Sequence, residues 1–275
     1  MTKINKKMTF ALTMLIAFAM VLMAIPALTP SQAKAASNDF VTSVKVAVNA
    51  SIPGKFDMVH KKLTVKSNTF ETYFPALKKS DLSKGVSVAD VIVAANKAKY
   101  GKKFTKKTVK TYCDFSSGQY GISVKKQFKH TKVGLYYVNK KGLSLSVGAS
   151  QVKSGNFVEI FSYPSNETAY SELYSKFSKA TYKTAAKKTV SVSLTADNFG
   201  TAVVPNAGCI IKKVSVKTGK LTSLKTKTNA KGVAKLKFAK KGTYYISATG
   251  TVSYTGYNGA VTGNIMCPYA KVIVK

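Results

Sequence analysis

Cys113 and His130 are the pair from which a nucleophilic mechanism would have to be built. A thiol attacks as its thiolate and needs an adjacent base, and these two residues lie in the same half of the chain. A sortase-like site would also need an arginine to hold the oxyanion, and every basic residue here is lysine. A papain-like site needs only one Cys and one His, yet neither residue sits in a recognisable motif. His60 and His130 are the only histidines, and without HExxH or CxxC they form no zinc signature. Glycoside hydrolysis needs paired carboxylates. The 10 acidic residues are scattered, and Glu159 and Asp114, the least ordinary of them, read as solvated. There is no G-x-G-x-x-G and no P-loop. The expectation is a protein that is not an enzyme and uses no cofactor or metal, with a thiol enzyme using Cys113 as an alternative.

Binding chemistry has better material. Tyr120, Tyr136 and Tyr137, with Asn139 at a polar turn, could stack on a sugar or a flat ring while the amide supplies hydrogen bonds. The competing reading makes alternate members of Tyr136-Tyr137-Val138 core residues and gives Asn139 its place for backbone tolerance. Cys209 precedes a strand at Ile210 to Val216, and Cys267 precedes the last strand. The two are expected to be neighbours across a sandwich and to pair in an oxidising compartment, which would add about 4 kcal/mol. Cys113 is then the odd thiol.

Charge narrows the partners. The chain carries 44 basic and 10 acidic residues, a formal charge of +34. A field of that size attracts polyanions over roughly 8–10 Å at ordinary salt. Nucleic acid is not the expected partner, because bidentate base and phosphate recognition favours the guanidinium fork that lysine lacks. Anionic cell-wall polymers or a surface glycan fit better. The alternative is that the lysine excess is compositional.

The elements that must position these residues begin after an export segment. Lys3, Lys6 and Lys7 precede an apolar run from Met8 to Ala24; Pro26 and Pro30 break it, and Ala33-Lys34-Ala35 offers a small-x-small cleavage site. The expectation is a signal peptide over 1–35, with a membrane anchor as the alternative. Cleavage would remove four lysines and leave +30 of the +34, with no transmembrane anchor and a secreted or wall-associated product. Val44, Val46 and Val48 alternate as a half-buried strand. Ser87 and Asp90 form a capping-box-like pair ahead of a helical stripe of Val88, Val91, Ile92 and Ala95, which Gly101 ends. Strands are expected near 62–66, 120–124, 133–138 and 157–162. A second helix is expected after Pro164, with a stripe of Tyr170, Leu173, Tyr174 and Phe177. A composition shift near Lys187 and Lys188 marks a boundary. Beyond it, Val190, Val192 and Leu194, then Ala234, Leu236 and Phe238, then Tyr244, Ile246 and Ala248 alternate with polar residues, separated by Gly-containing turns. Short strands at this spacing point to an immunoglobulin-like sandwich.

Two resemblances follow from these residues. Gly85-Val86-Ser87-Val88-Ala89-Asp90-Val91-Ile92 resembles the start of the helix in transcobalamin-like C-terminal domains. Tyr120-Gly121-Ile122, Leu135-Tyr136-Tyr137-Val138-Asn139, Gly148-Ala149 and Gly155-Asn156-Phe157-Val158-Glu159-Ile160 are similar to that family's later blocks, in the same order, over residues 41–165. The resemblance implies a small α+β unit with one helix packed on a sheet. In its animal relatives such a unit covers one face of a corrinoid, which adds a corrinoid to the candidate ligands; the tryptophans the family often carries are Tyr or Phe here. The run from Thr226 to Ala234, followed by Gly242 to Ala248, resembles bacterial immunoglobulin-like and carboxypeptidase-regulatory-like surface modules, which usually act as spacers or adhesive stalks.

The expected organisation is a signal peptide at 1–35, an α+β domain at 36–186 with one or two helices on a small sheet, and an all-β immunoglobulin-like sandwich at 187–275. The expected function is a secreted or cell-wall-associated, non-catalytic binding or adhesion protein. The first alternative is capture of a small ligand, a corrinoid or a glycan, through the N-terminal domain.

Overall fold

The computed structural model describes residues 41–77, 81–163, 173–197, 203–256 and 259–275, and Val41–Lys275 forms one compact unit. The expected signal peptide lies outside the described residues. No helix among them is long and apolar enough to cross a membrane.

β1 (Ser43–Ile52) and β2 (Lys55–Lys66) form a hairpin closed by Pro53-Gly54, where Gly54 supplies the positive φ of +76° that a Pro-Gly turn requires. Between the pairs Val48–Lys61 and Ala50–Met58 the register slips, and β2 carries two residues opposite Asn49. This bulge puts His60 at φ +42°, held by its N–H donating to Asn49 Oδ1 at 2.6 Å.

After a short helix at Thr69–Tyr73 comes the long helix Val88–Tyr100, capped as the sequence predicts. The Asp90 N–H donates to Ser87 Oγ (3.1 Å), and Asp90 Oδ2 accepts from the Ser87 N–H (2.8 Å). Asp90 Oδ1 also accepts from the Phe70 N–H at 2.7 Å, which ties the short helix to the start of the long one. β3 (Asp114–Gly118) and β4 (Gly121–Lys126) form a separate hairpin. β5 (Val133–Val138), the two-residue β6 (Lys141–Gly142) and β7 (Phe157–Ser162) complete a sheet of order β2-β1-β7-β5-β6, in which β1 and β7 run parallel. One face of this sheet shares a core with the long helix: Val46, Val48, Val65, Val158 and Ile160 pack with Val88, Val91, Ile92 and Ala95.

The remaining strands are β8 (Tyr174–Phe177), β9 (Thr181–Thr184), β10 (Thr189–Asp197), β11 (Val203–Pro205), β12 (Ile210–Val214), β13 (Leu221–Lys227), β14 (Val233–Lys237), β15 (Gly242–Thr249), β16 (Thr251–Gly256), β17 (Gly259–Asn264) and β18 (Ala270–Val274). In one sheet β10 pairs with β8, β11 and β14; the other runs β13-β12-β15-β18-β9. β10 beside β14, facing β12, β15 and β18, is the B–E against C–F–G arrangement of an immunoglobulin-like sandwich. The predicted alternation points inward: Val192, Leu194, Ala234, Leu236, Ile246 and Ala248 share one core with Ile211 and Val272.

Three expectations need correction. Tyr174–Phe177 is the strand β8, not part of a second helix; the rest of that expected helix falls on residues 164–172, outside the described ones. Spacing of i, i+3 also suits a strand buried on both faces, and here Phe177 enters the sandwich core while Tyr174 packs with Tyr137 and Phe161 of the N-terminal sheet. The boundary expected at 186/187 therefore falls inside the sandwich, between β9 and β10. Lastly, Cys209 and Cys267 are unpaired. Cys209 lies in the sandwich core, whereas Cys267 packs outside it with Phe56, Val59 and Val214, so the two thiols serve different clusters.

Candidate functional site

The sequence-predicted ligand residues divide between two clefts. Tyr120 is 83% exposed in the two-residue turn between β3 and β4. With Tyr136, Tyr137, Leu135, Leu143 and Leu145 it lines an open groove of about 620 Å³. Tyr136 and Tyr137 point to opposite faces of β5. The Tyr136 hydroxyl donates to Gln127 Oε1 at 2.9 Å, and burial holds that hydroxyl above the usual tyrosine range. Tyr137 is buried and stacks on Tyr174, with ring centres 3.6 Å apart and planes 10° from parallel. Asn139 is not in this groove. Asn139 and Lys140 have φ of +51° and +66°, the two left-handed residues that a tight β5–β6 hairpin needs. Asn139 Oδ1 accepts from the Phe157 N–H at 2.8 Å.

The second cleft, about 350 Å³, lies where the N-terminal sheet meets the sandwich, and of its residues the sequence offers only Asn139 as a ligand candidate. The β2 bulge presents His60, β7 starts with Phe157, and the β5–β6 turn brings Asn139 and Lys140. From the sandwich come Tyr245 of β15, Tyr269 and Lys271 at the start of β18, and Ala180 and Thr181 at the start of β9. His60 and Tyr269 stack (5.3 Å, 10°), and Tyr245 continues the column (5.8 Å, 19°). Phe157 tilts against Tyr269 at 6.0 Å. Burial, followed by repulsion from Lys271 and Lys62, pushes the His60 imidazole below its ordinary value of 6.5. Burial thus favours its neutral form. His60 Nδ1 and the Tyr269 hydroxyl are buried without a hydrogen-bond partner among the described residues. Among the described residues no carboxylate lines this cleft.

Beside it sits an unpredicted buried acid. Glu159, expected to be solvated, is only 4% exposed, because the sandwich covers the outer face of β7. Burial raises its carboxyl to about 7, although a hydrogen bond from Tyr174 and the nearby Lys140 pull the other way. The Tyr174 hydroxyl donates to Glu159 Oε2 at 2.8 Å, and the Lys140 ammonium donates to the Phe177 carbonyl at 3.1 Å. Burial lowers the pKa of Lys140; Glu159 raises it and Lys176 lowers it further.

The residues that might have supported thiol chemistry are committed elsewhere. Cys113 is fully buried, and burial, then the neighbouring Asp114, hold its thiol far above the usual range. His130 Nε2 bonds Asp57 Oδ2 at 2.7 Å, and Lys99 pairs with the other oxygen. Burial opposes the charge on Asp57, but the hydrogen bonds from His130 and Lys99 outweigh it and hold the carboxyl below its ordinary range. Among the described residues no group of three or more His, Cys, Asp or Glu could hold a metal ion.

No known family and no curated protein matches the chain. Solved structures similar to it include the N-terminal four Ig domains of Dscam1 isoform 8.4, 11% identical over 46% of this chain and 25% of that one, with a TM-score of 0.20. The same domains of isoform 7.44 are also 11% identical, over 85% of this chain and 44% of that one, again at 0.20. The chain thus spans less than half the length of these proteins. At such scores the likeness carries no argument, and the sandwich rests on its own strand order.

The surface field is the remaining feature of the site. The described acids are Asp57, Glu71, Asp81, Asp90, Asp114, Glu159 and Asp197, and all are at least half-buried or tucked against neighbours rather than exposed. Lysines occupy the outside. Lys102, Lys103, Lys106, Lys107 and Lys110 are all exposed in one short stretch. Lys235 and Lys237 stand opposite Ser191 and Thr189 on the open face of the β10–β14 pair, and all four are exposed.

Proposed function

We propose that this is a secreted or cell-wall-associated, non-catalytic binding protein whose lysine-covered faces contact anionic wall polymers. One observation carries the reading: the described acids are drawn inward to cap, pair or pack while the lysines stay outside, so an approaching polyanion meets charge of one sign. Segregation of this kind makes a field that steers anions, beyond what a mere excess of lysine in the composition would require. The sandwich serves as the support, and the helix-and-sheet part, read as an α+β unit of the transcobalamin-like kind, rides on it. A thiol enzyme at Cys113 is disfavoured, because a buried thiol held protonated is a poor nucleophile. The groove beside Tyr120 supports a second reading, capture of a corrinoid or glycan on an exposed aromatic edge.

Titration with polyphosphate tests the first reading. Affinity should fall at least about tenfold between 50 and 200 mM salt, since each neutralised phosphate releases a counterion. Replacing Lys102, Lys103, Lys106 and Lys107 with Gln should flatten that dependence. Binding that ignores salt, or survives those replacements unchanged, overturns the polymer reading.

A further inference from the structure

We propose that the cleft between the N-terminal sheet and the sandwich is a binding site for a small planar aromatic anion, an aryl carboxylate or aryl phosphate. It is independent of the lysine-covered faces proposed above. The volume, about 350 Å³, lies in the range of small-molecule sites and exceeds what a one- or two-ring acid fills. Its walls are built from His60, Phe157, Tyr245 and Tyr269, three of which form one column of near-parallel rings. A flat ring can extend such a column by offset stacking. A sugar is the poorer occupant. Its many hydroxyls each need a partner once out of water, and the lining gives them Asn139, Thr181, the two lysines and the polar edges of His60, Tyr245 and Tyr269, with ring faces making up most of the rest.

Charge fixes the sign. Among the described residues Lys140 and Lys271 line the cleft and no carboxylate does, and burial favours the neutral form of His60. Asn139 Oδ1 is committed to the Phe157 N–H, which leaves its NH₂ as the donor that can reach a bound anion. The Phe177 carbonyl accepts one Lys140 N–H, anchoring the ammonium while its other N–H groups remain. Both walls come from parts of the chain far apart in sequence, so the site exists only when the sandwich and the N-terminal sheet are docked.

The test is a fluorescence titration of the purified protein with 2-naphthoate, whose emission is read without a tryptophan background because the chain has no Trp. At about 0.5 M salt the screening length is only ~4 Å, which suppresses lysine-driven surface attraction and separates this site from polymer contact. The expected result is saturable one-to-one binding, about tenfold tighter for 2-naphthoate than for neutral 2-naphthamide. Lys271→Met keeps the apolar stem and should erase that difference; Lys271→Arg should restore it. Chemical-shift changes in the folded protein should centre on His60, Asn139 and Tyr269. The assignment is overturned by the absence of saturable binding, by equal affinity for acid and amide, or by shifts centred on the Tyr120 groove.

Discussion

The two outer faces of the sandwich have the same kind of sequence and opposite fates. On β10 and β14 the outward residues Thr189, Ser191, Lys235 and Lys237 are exposed, and Ser193, Thr195 and Val233 are half-buried. On β15 the outward residues run from exposed Thr243 through half-buried Tyr245 to fully buried Ser247. The difference comes from a distant element. The β1–β2 hairpin sends Phe56 and Val59 onto Val214 and Cys267, closing over Tyr245 and Tyr269, and the Cys267 thiol donates to the Ile52 carbonyl at 3.2 Å. Alternation therefore distinguishes the inside of a sandwich from its outside, but it does not say whether the outside meets water or another layer.

Removing the cover should break this comparison most severely. Phe56 is 2% exposed, and Phe56→Ala takes away the main apolar contact of the hairpin with the sandwich. The expected loss is about 3–5 kcal/mol, measured by urea unfolding. Tyr269 should become more accessible to solvent fluorescence quenchers. A loss under about 1 kcal/mol would mean that the hairpin only lies near the sheet, and the covered face would then be another open one.

Next in size is the acid that the docking buries. Glu159 pairs across the sheet with Asn49 and Tyr137 and accepts from Tyr174 of the sandwich. Its carboxyl rises from an ordinary 4.5 to about 7 in the folded protein. Between those values the native state holds a proton that the unfolded chain has released. The stability this contributes is fully present below pH 4.5 and is lost as pH rises through about 7. The loss is roughly 2–4 kcal/mol. His60 has the opposite sign, because its lowered pKa makes the folded state lose stability as pH falls below about 6.5. The measurement is thus a difference: the stability of Glu159→Gln minus that of the parent should grow between pH 5 and pH 7.5. A flat difference would show that Glu159 is ionised throughout and the junction wetter than its packing implies.

What could be read from sequence was what local chemistry settles. Ser87 and Asp90 announce a helix start because both partners of the capping box lie within one turn, and the inward triplets of β10, β14 and β15 announce strands because the pleat repeats every two residues. Whatever depended on a remote partner was not legible. Leu173, Tyr174 and Phe177 have a helical spacing, yet the chain there is a strand claimed from both sides. Glu159 looks like any polar residue on a half-buried strand until the sandwich is laid over it. Cys209 and Cys267 each precede a strand, but one packs inside the sandwich and the other under the hairpin. The candidate site was half-legible for the same reason: Asn139 stands out locally as an amide beside a polar turn, whereas His60, Tyr245, Tyr269 and Lys271 meet only through the docking of the two parts.

The open face offers the gentlest and sharpest test of the comparison. Lys235 and Lys237 cover no hydrophobic layer, so Lys235→Ala and Lys237→Ala should each change unfolding free energy by less than about 0.5 kcal/mol. Their effect should appear in binding. Each lysine that sits on a bound polyphosphate should lower the slope of log affinity against log salt by at most about one when it is removed. The same measurement on Tyr245→Ala, from the covered face, should show the reverse: a stability loss and an unchanged salt slope. If Lys235→Ala destabilises the fold or leaves the salt slope untouched, the open face is structural surface only, and the polymer contact must lie elsewhere, first at Lys102 to Lys110.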